Sequence, residues 1–405
     1  MRILLTATAS YSPPRGGATR SNLIWLDYMA DFGHECRIVC GPSGEGAMLQ
    51  HNRGIAILPV DDPARRVQVL RQQIQEFHPD WVLVSSEDLG HGLLREAHQS
   101  APGRVVYLAH TPQFYPFGPA SWNPDPQAAD LVAQSAGIVV IGRHMAEYVI
   151  RELGQPAPVA VIHPPIYGAP VYPDISNFGY GFITMINPCA VKGISIFLDL
   201  AERMPHLEFA AVPGWGTTSE DRTALAKLPN VRLLPNAPRI DDILIRTRIL
   251  LMPSLWYEGF GLIVMEAMQR GIPVVASDSG GLTEAKSGTG YVVPVRGIER
   301  YQPVFDEHAM PKPVVPENDP APWAEAIRQL LADRGVYNRE SAASRKAAGR
   351  FIDGLSPSEL ELFLIGLEPA APRASKAAPP HIEALSPQKR ALLLQRLHRR
   401  GAARG

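Results

Sequence analysis

What most constrains this chain is an alternation of short apolar runs with helical segments, and it occurs twice. The first run, RILLTATA, ends in small residues and is followed by the loop SYSPPRGGATRS. NLIWLDYMADFGHE then sets Leu23, Leu26, Met29 and Ala30 at helical spacing with Gly33 as a stop, and CRIVCG reads as the next strand. That is a βαβ unit. Further apolar strands stand at DWVLVSS (80–86), RVVYLAH (104–110), GIVVIG (137–142) and PVAVIHPP (158–165). Strands separated by helical sequence predict a parallel sheet covered on both faces. The loop YGAPVYPDISNFGYG (167–181), rich in proline and glycine, breaks the pattern and reads as a linker. The alternation restarts with GFITMIN, the helix ISIFLDLAERM, LEFAAVPG, VRLLPN, RILLMPS, the helix LIVMEAMQRG, PVVASD and GYVVPV.

The expected fold is therefore α/β, with two Rossmann-like doubly wound domains facing a central cleft. Residues 1–166 form the first domain, 167–181 the linker, 182–355 the second domain and 356–405 a tail. A length of 405 residues, 45% of them hydrophobic, is enough for two cores. Lys and Arg number 39 against 40 Asp and Glu, so no global charge attracts nucleic acid or an anionic membrane. No run reaches the roughly 18–20 apolar residues of a membrane span, and MRILLTATAS flows directly into a strand instead of a signal peptide. With three cysteines, the expected compartment is the cytoplasm. Cys36 and Cys40 lie in ECRIVC without a second pair or a histidine cluster, which favours packing over metal binding.

Ligands of open α/β sheets bind beyond the carboxyl ends of strands, so the loops there carry the candidates. Gly16 and Gly17 precede the first helix, where they serve either as an anion site or as an ordinary turn. His110 ends a strand at the cleft edge, a place for a site residue or for a structural histidine. Lys192 and Gly193 open a helix; the lysine either meets a phosphate as a point charge or is solvated. The richest stretch is SLWYEGFGLIVMEAM, with Glu258 just before a helix and Glu266 about two turns inside it. A rise of 1.5 Å per residue then separates the carboxylates by roughly 10–12 Å, near the length of a sugar joined through two phosphates to a ribose. The amides of Gly259, Phe260, Gly261 and Leu262 lie between them at the positive end of the helix. Charged carboxylates bind vicinal diols strongly.

EGFGLIVME, RGIPVVASDSGGLTEA and GYVVPV resemble the retaining nucleotide-sugar glycosyltransferases of family 4, which have the two-lobed GT-B fold. The resemblance extends more weakly over residues 1 to about 355. It implies that Glu258 and Glu266 contact donor sugar and ribose, that Lys192 and Gly17 contact the diphosphate, and that His110 lines the site near the reacting sugar. It also implies a UDP- or GDP-sugar donor, front-face attack with retention, and no bound metal or other cofactor. Gly280, Gly281 and Glu284 match a second loop of the family, structural or facing the phosphates. The family's Gly-Arg is replaced here by Asn187 and Pro188, which leaves donor affinity either weaker or compensated by Arg15 or Arg143, and HPPI with His163 stands in for an asparagine-glycine.

The tail reads as a helix (SPSELELFLIGL), a Pro/Ala-rich linker and a basic amphipathic helix, HIEALSPQKRALLLQRLHRRG. LSPQKRALLLQRL resembles the segment preceding condensation domains of nonribosomal peptide synthetases, which implies an assembly-line partner; a membrane-surface helix and a disordered tail without function are the rival readings. The aromatic, proline-rich TPQFYPFGPASWNPDPQ (111–127) is the expected acceptor loop, for an apolar or cyclic acceptor or for packing alone. Two functions of other classes compete: a GT-B sugar-nucleotide epimerase and a catalytically silent sugar-nucleotide-binding subunit.

Overall fold

The computed structural model describes residues 1–14, 16–42, 50–167, 172–237 and 239–370. Among these, the first lobe holds an eight-stranded sheet. Its strands are β1 (Arg2–Thr6), β2 (Glu35–Cys40), β3 (Gln50–Asn52), β4 (Ile55–Pro59), β5 (Trp81–Ser85), β6 (Val105–Ala109), β7 (Gly137–Val140) and β8 (Val159–Val161), in the order β3-β4-β2-β1-β5-β6-β7-β8. All pairs are parallel except β3–β4 at the edge. WVLVS and VVYLA are buried at every position, as strands covered on both faces must be. The β3–β4 pair lies outside the alternation read from the sequence.

The second lobe holds β9 (Phe182–Ile186), β10 (Phe209–Val212), β11 (Val231–Leu233), β12 (Thr247–Met252), β13 (Val274–Ser277) and β14 (Val292–Val293), all parallel, in the order β11-β10-β9-β12-β13-β14. A separate antiparallel hairpin, β15 (Tyr301–Phe305) with β16 (Pro311–Pro313), follows. The hairpin was not expected either. Cys36, Cys40 and Cys189 are buried free thiols, and burial pushes Cys36 up to about 12 and Cys189 up to about 11.

One hydrophobic cluster runs through both lobes, joining Ile3, Leu5 and Trp25 to Phe260, Val264 and Ile272. The chain also returns to its beginning. Leu360 and Leu364 of the helix Glu359–Gly366 enter the same cluster, and each is 1% exposed. Burial of each stabilises the return by about 1.5–3 kcal/mol. Nearby, a Cβ on Gly137 would lie 2.7 Å from the Phe363 ring, and the Ala370 N–H donates to the Gly103 carbonyl at 2.8 Å. Within the linker, residues 172–181 form no helix or strand. Arg15 and the tail expectations beyond Ala370 lie outside the described residues. No described helix is long and apolar enough to cross a membrane.

Candidate functional site

The site is built where two tight turns meet. β12 ends at Met252 and the helix Leu262–Gln269 begins only after Gly261, so Glu258 sits in an irregular loop. Opposite it, β9 leads through a short turn, Ala190–Lys192, into the helix Ile194–Arg203. Gly193 joins the two: with φ 82° it lets the turn press so close to Pro253 that a Cβ would meet the Pro253 carbonyl at 2.0 Å. The result is an ion pair. Lys192 Nζ lies 2.5 Å from Glu258 Oε1, the Ser254 hydroxyl donates to the same oxygen at 2.6 Å, and the ammonium stands 5.2 Å from the Trp256 ring centroid. Glu258 is 8% exposed.

The second carboxylate occupies a different mouth. Glu266 is the fifth residue of its helix, one turn from the start, which corrects the expectation of two helical turns between the glutamates. The helix begins later because Glu258 to Gly261 form the loop, so helical rise does not measure the gap. Arg20, on the first-lobe helix Gly16–Asp31, donates to Glu266 Oε1 at 3.0 Å across the cleft. Arg270 donates to the Glu266 backbone carbonyl at 2.8 Å and stacks over Tyr172 at 4.8 Å. A cavity of about 440 Å³ opens here, lined by Arg20, Tyr167, Tyr172, Arg239, Glu266 and Arg270.

Between the two mouths, two helix starts abut. A Cβ on Gly17 would lie 3.1 Å from Leu262 Cδ1, so the first turns of Gly16–Asp31 and Leu262–Gln269 face each other. Each carries amides without intrahelical acceptors, and together they favour an anion. The lobes also touch at Gly259, where a Cβ would fall 2.5 Å from the His110 carbonyl oxygen. Phe260, behind this contact, is a core residue stacked at 5.1 Å on Phe351.

His110 is buried, lies 5.9 Å from the Trp25 ring, and presents Nε2 to the Asn22 Oδ1 at 2.7 Å. The Asn22 amide nitrogen donates to the Tyr11 and Ser85 hydroxyls, which assigns its oxygen as the acceptor and Nε2–H as the donor. Burial pushes this histidine down to about 3, so it is neutral at ordinary pH. Its Nδ1 has no hydrogen-bond partner among the described residues and is left as an acceptor.

Arg143, one of the two arginines expected to compensate for the missing one, is paired with Glu284. Its Nε lies 3.3 Å from Glu284 Oε1, and its backbone N–H donates to Glu284 Oε2 at 2.8 Å. Glu284 thus caps a first-lobe helix and also faces His163 Nε2 at 3.5 Å. Burial acts to raise the Glu284 carboxyl, but the bond and charge of His163 and the Arg143 N–H outweigh it and hold it below the usual range. Asn187 (φ 57°) spends its oxygen on the Gly216 N–H at 2.9 Å.

Three features escape a reading of the sequence. Arg20 follows Gly16 by one helical turn, a signal that was available. Glu87 stands just past β5 at the cleft side, and burial pushes its carboxyl up to about 7. Trp122 packs edge-on against Trp256 at 5.5 Å, across 134 residues of sequence, and nothing local announces it.

Fold and site together define a two-lobed protein of the GT-B type. Each lobe matches a glycosyltransferase family: residues 15–167 match the family described as Glycosyltransferase Family 4, and residues 179–333 match Glycosyl transferases group 1. The chain is similar to a D-inositol 3-phosphate glycosyltransferase of Xylanimonas cellulosilytica, 30% identical over 171 residues, which cover 40% of this chain and 36% of that protein. The chain spans only 25% and 36% of the first two curated relatives that it matches. Among solved structures it resembles sucrose-phosphate synthase from Thermosynechococcus elongatus, with TM-score 0.68 and 15% identity, covering 90% of this chain and 97% of that one. It also resembles Anabaena HepE in complex with UDP and glucose, with TM-score 0.65 and 18% identity, covering 90% and 99%.

Proposed function

We propose that this protein is a retaining, metal-independent glycosyltransferase that moves a sugar from a UDP- or GDP-sugar to an acceptor. One observation carries the reading: two buried glutamates, Glu258 and Glu266, flank a pair of facing helix starts, with Lys192 beside one of them. The likeness to HepE, solved with UDP and glucose, supports it.

In this reading the diphosphate lies at the amides of Gly17 and of Gly259 to Leu262. Lys192 leaves Glu258 for the phosphates, which frees the carboxylate to accept from sugar hydroxyls. The ribose hydroxyls bind Glu266, and the 440 Å³ cavity takes the base between Tyr167, Tyr172 and the arginines. The bond from the anomeric carbon to the diphosphate oxygen breaks with its electron pair going to the diphosphate. The acceptor oxygen bonds to the same face of that carbon, and its proton passes to the departing phosphate. The products are the glycoside and the nucleoside diphosphate. Lys192 and the pre-oriented amides stabilise the charge that builds on the leaving group. Neutral His110 offers Nδ1 as an acceptor for a sugar hydroxyl and takes no part as an acid.

The experiment is a thermal-shift series with UDP, GDP and their sugar conjugates, followed by donor turnover. The expected result is stabilisation by one nucleoside diphosphate, and loss of turnover by about 100-fold or more in Glu258→Gln and Lys192→Ala. Absence of any nucleotide effect, or unchanged turnover in both variants and in Glu266→Gln, would overturn the proposal.

A further inference from the structure

Beyond β14 the second lobe departs from its alternation. The β15–β16 hairpin is pinned at its tip, where Glu307 accepts from the Ser219 N–H at 2.7 Å and the Ser219 hydroxyl at 2.6 Å, and the His308 ring meets the Thr217 carbonyl at 3.1 Å. At its base, Tyr301 packs edge-on against Trp122 of the first lobe at 5.5 Å. Trp122 also meets Phe114 at 5.2 Å and Trp256 at 5.5 Å, and Trp256 lies under the Lys192 ammonium. An unbroken row of rings therefore leads from the hairpin to the residue that faces the donor phosphates in the proposed reaction.

Between hairpin and row lies a cavity of about 370 Å³, within the size range of small-molecule sites. Its apolar walls are Trp122, Val191, Phe305 and Met310, and Val191 directly precedes Lys192. Phe305 is 62% exposed and its neighbour Val304 47%, an unusual outlay of apolar surface on so short an element. The polar rim carries Glu220, Asp221, Asp306 and Glu307 against the single cation Lys312. Hydrogen bonds from Ser219 hold the Glu307 carboxyl below the usual range, so it stays charged.

We propose that this cavity is the acceptor subsite, and that it takes a neutral or cationic acceptor bearing a flat apolar or aromatic group. The inference rests on the glycosyltransferase reading above. Rings beside and above the cavity stack on a planar group, and Phe305 gains the partner that it lacks. Four carboxylates against one lysine repel a phosphorylated or carboxylated acceptor. The hairpin belongs to the second lobe and Trp122 to the first, so an occupant touches both and binds best when the cleft is closed on its donor.

The test is calorimetric titration of the full chain, saturated with UDP or GDP, using p-nitrophenyl α-D-glucopyranoside, methyl α-D-glucopyranoside and p-nitrophenyl phosphate. The aryl glucoside should bind about tenfold more tightly than the methyl glucoside, the gain expected of ring stacking, and more tightly than the aryl phosphate. Phe305→Ser, at an exposed position that the fold does not need, should abolish the aryl advantage and leave nucleotide affinity unchanged. No aryl advantage in the unmodified protein, an advantage that survives Phe305→Ser, or preference for the phosphate would each overturn the inference alone. Failure of the unmodified protein to bind either nucleotide would instead overturn the transferase reading and this subsite with it.

Discussion

The pairing of Lys192 with Glu258 can be tested by its own energetics. Replacing Lys192 with Met leaves a carboxylate that is 8% exposed with only the Ser254 hydroxyl as partner. Removing one member of a buried pair costs about 3–5 kcal/mol; the lower end applies because Ser254 remains, so we expect a loss of about 3 kcal/mol. Glu258→Gln is milder, about 1–2 kcal/mol, because the ammonium keeps its place over Trp256 and has a long stem that reaches toward water. If the two losses were independent they would sum to about 4–5 kcal/mol. In the double variant no charge is left unpaired, so its loss should be about 2 kcal/mol, a coupling of about 2–3 kcal/mol. Thermal unfolding followed by tryptophan fluorescence reads this as a fall of roughly 6–12 °C for Lys192→Met, at about 2–4 °C per kcal/mol. The double variant should be more stable than Lys192→Met alone. Additive losses would show that the two groups do not share a pair, and the proposed exchange of Lys192 from glutamate to phosphate would lose its basis.

Three further outcomes follow from the geometry. Gly259→Ala places a methyl group 2.5 Å from the His110 carbonyl, so it should separate the lobes and lower nucleotide affinity by about tenfold or more in a titration, with the unfolding midpoint of each lobe less affected. The His110 imidazole signals should not move in NMR spectra between pH 5 and 8. Because the unfolded chain protonates this histidine near 6.5 and the fold only near 3, stability should fall as pH drops through that window, by up to about 1.4 kcal/mol per unit. Arg20→Ala removes an ion pair whose arginine is 44% exposed, so it should change stability by less than about 1 kcal/mol while weakening nucleoside diphosphate binding several-fold, because the Glu266 carboxylate loses the group that orients it.

The parallel sheets were legible because both faces of their strands are buried, which writes continuous apolar runs into the sequence; WVLVS and VVYLA are of this kind. YQPVF and PKP gave no such signal, since an exposed pair of strands interrupted by proline shows neither alternation nor an apolar run. The start of the helix Leu262–Gln269 was obscured for the opposite reason. LIVM is apolar at every position, so periodicity cannot say where the helix begins, and the turn is fixed instead by contacts of Gly259 and Gly261 with distant backbone and side chains. The glutamates and Lys192 could be named individually, but their partners could not. Arg20 and Glu266 are 246 residues apart, and only the closed cleft brings them together.

The return of residues 360–370 to the first lobe bears on how the molecule is made. Leu360, Leu364 and the Ala370 amide complete a seam whose other side, at Ile3, Gly103 and Gly137, leaves the ribosome more than 200 residues earlier. Until residues 360–370 have been translated, that oily flank of the nascent lobe stands bare, so this is where a chaperone would hold the unfinished chain and where termination before this segment would leave a species prone to clump.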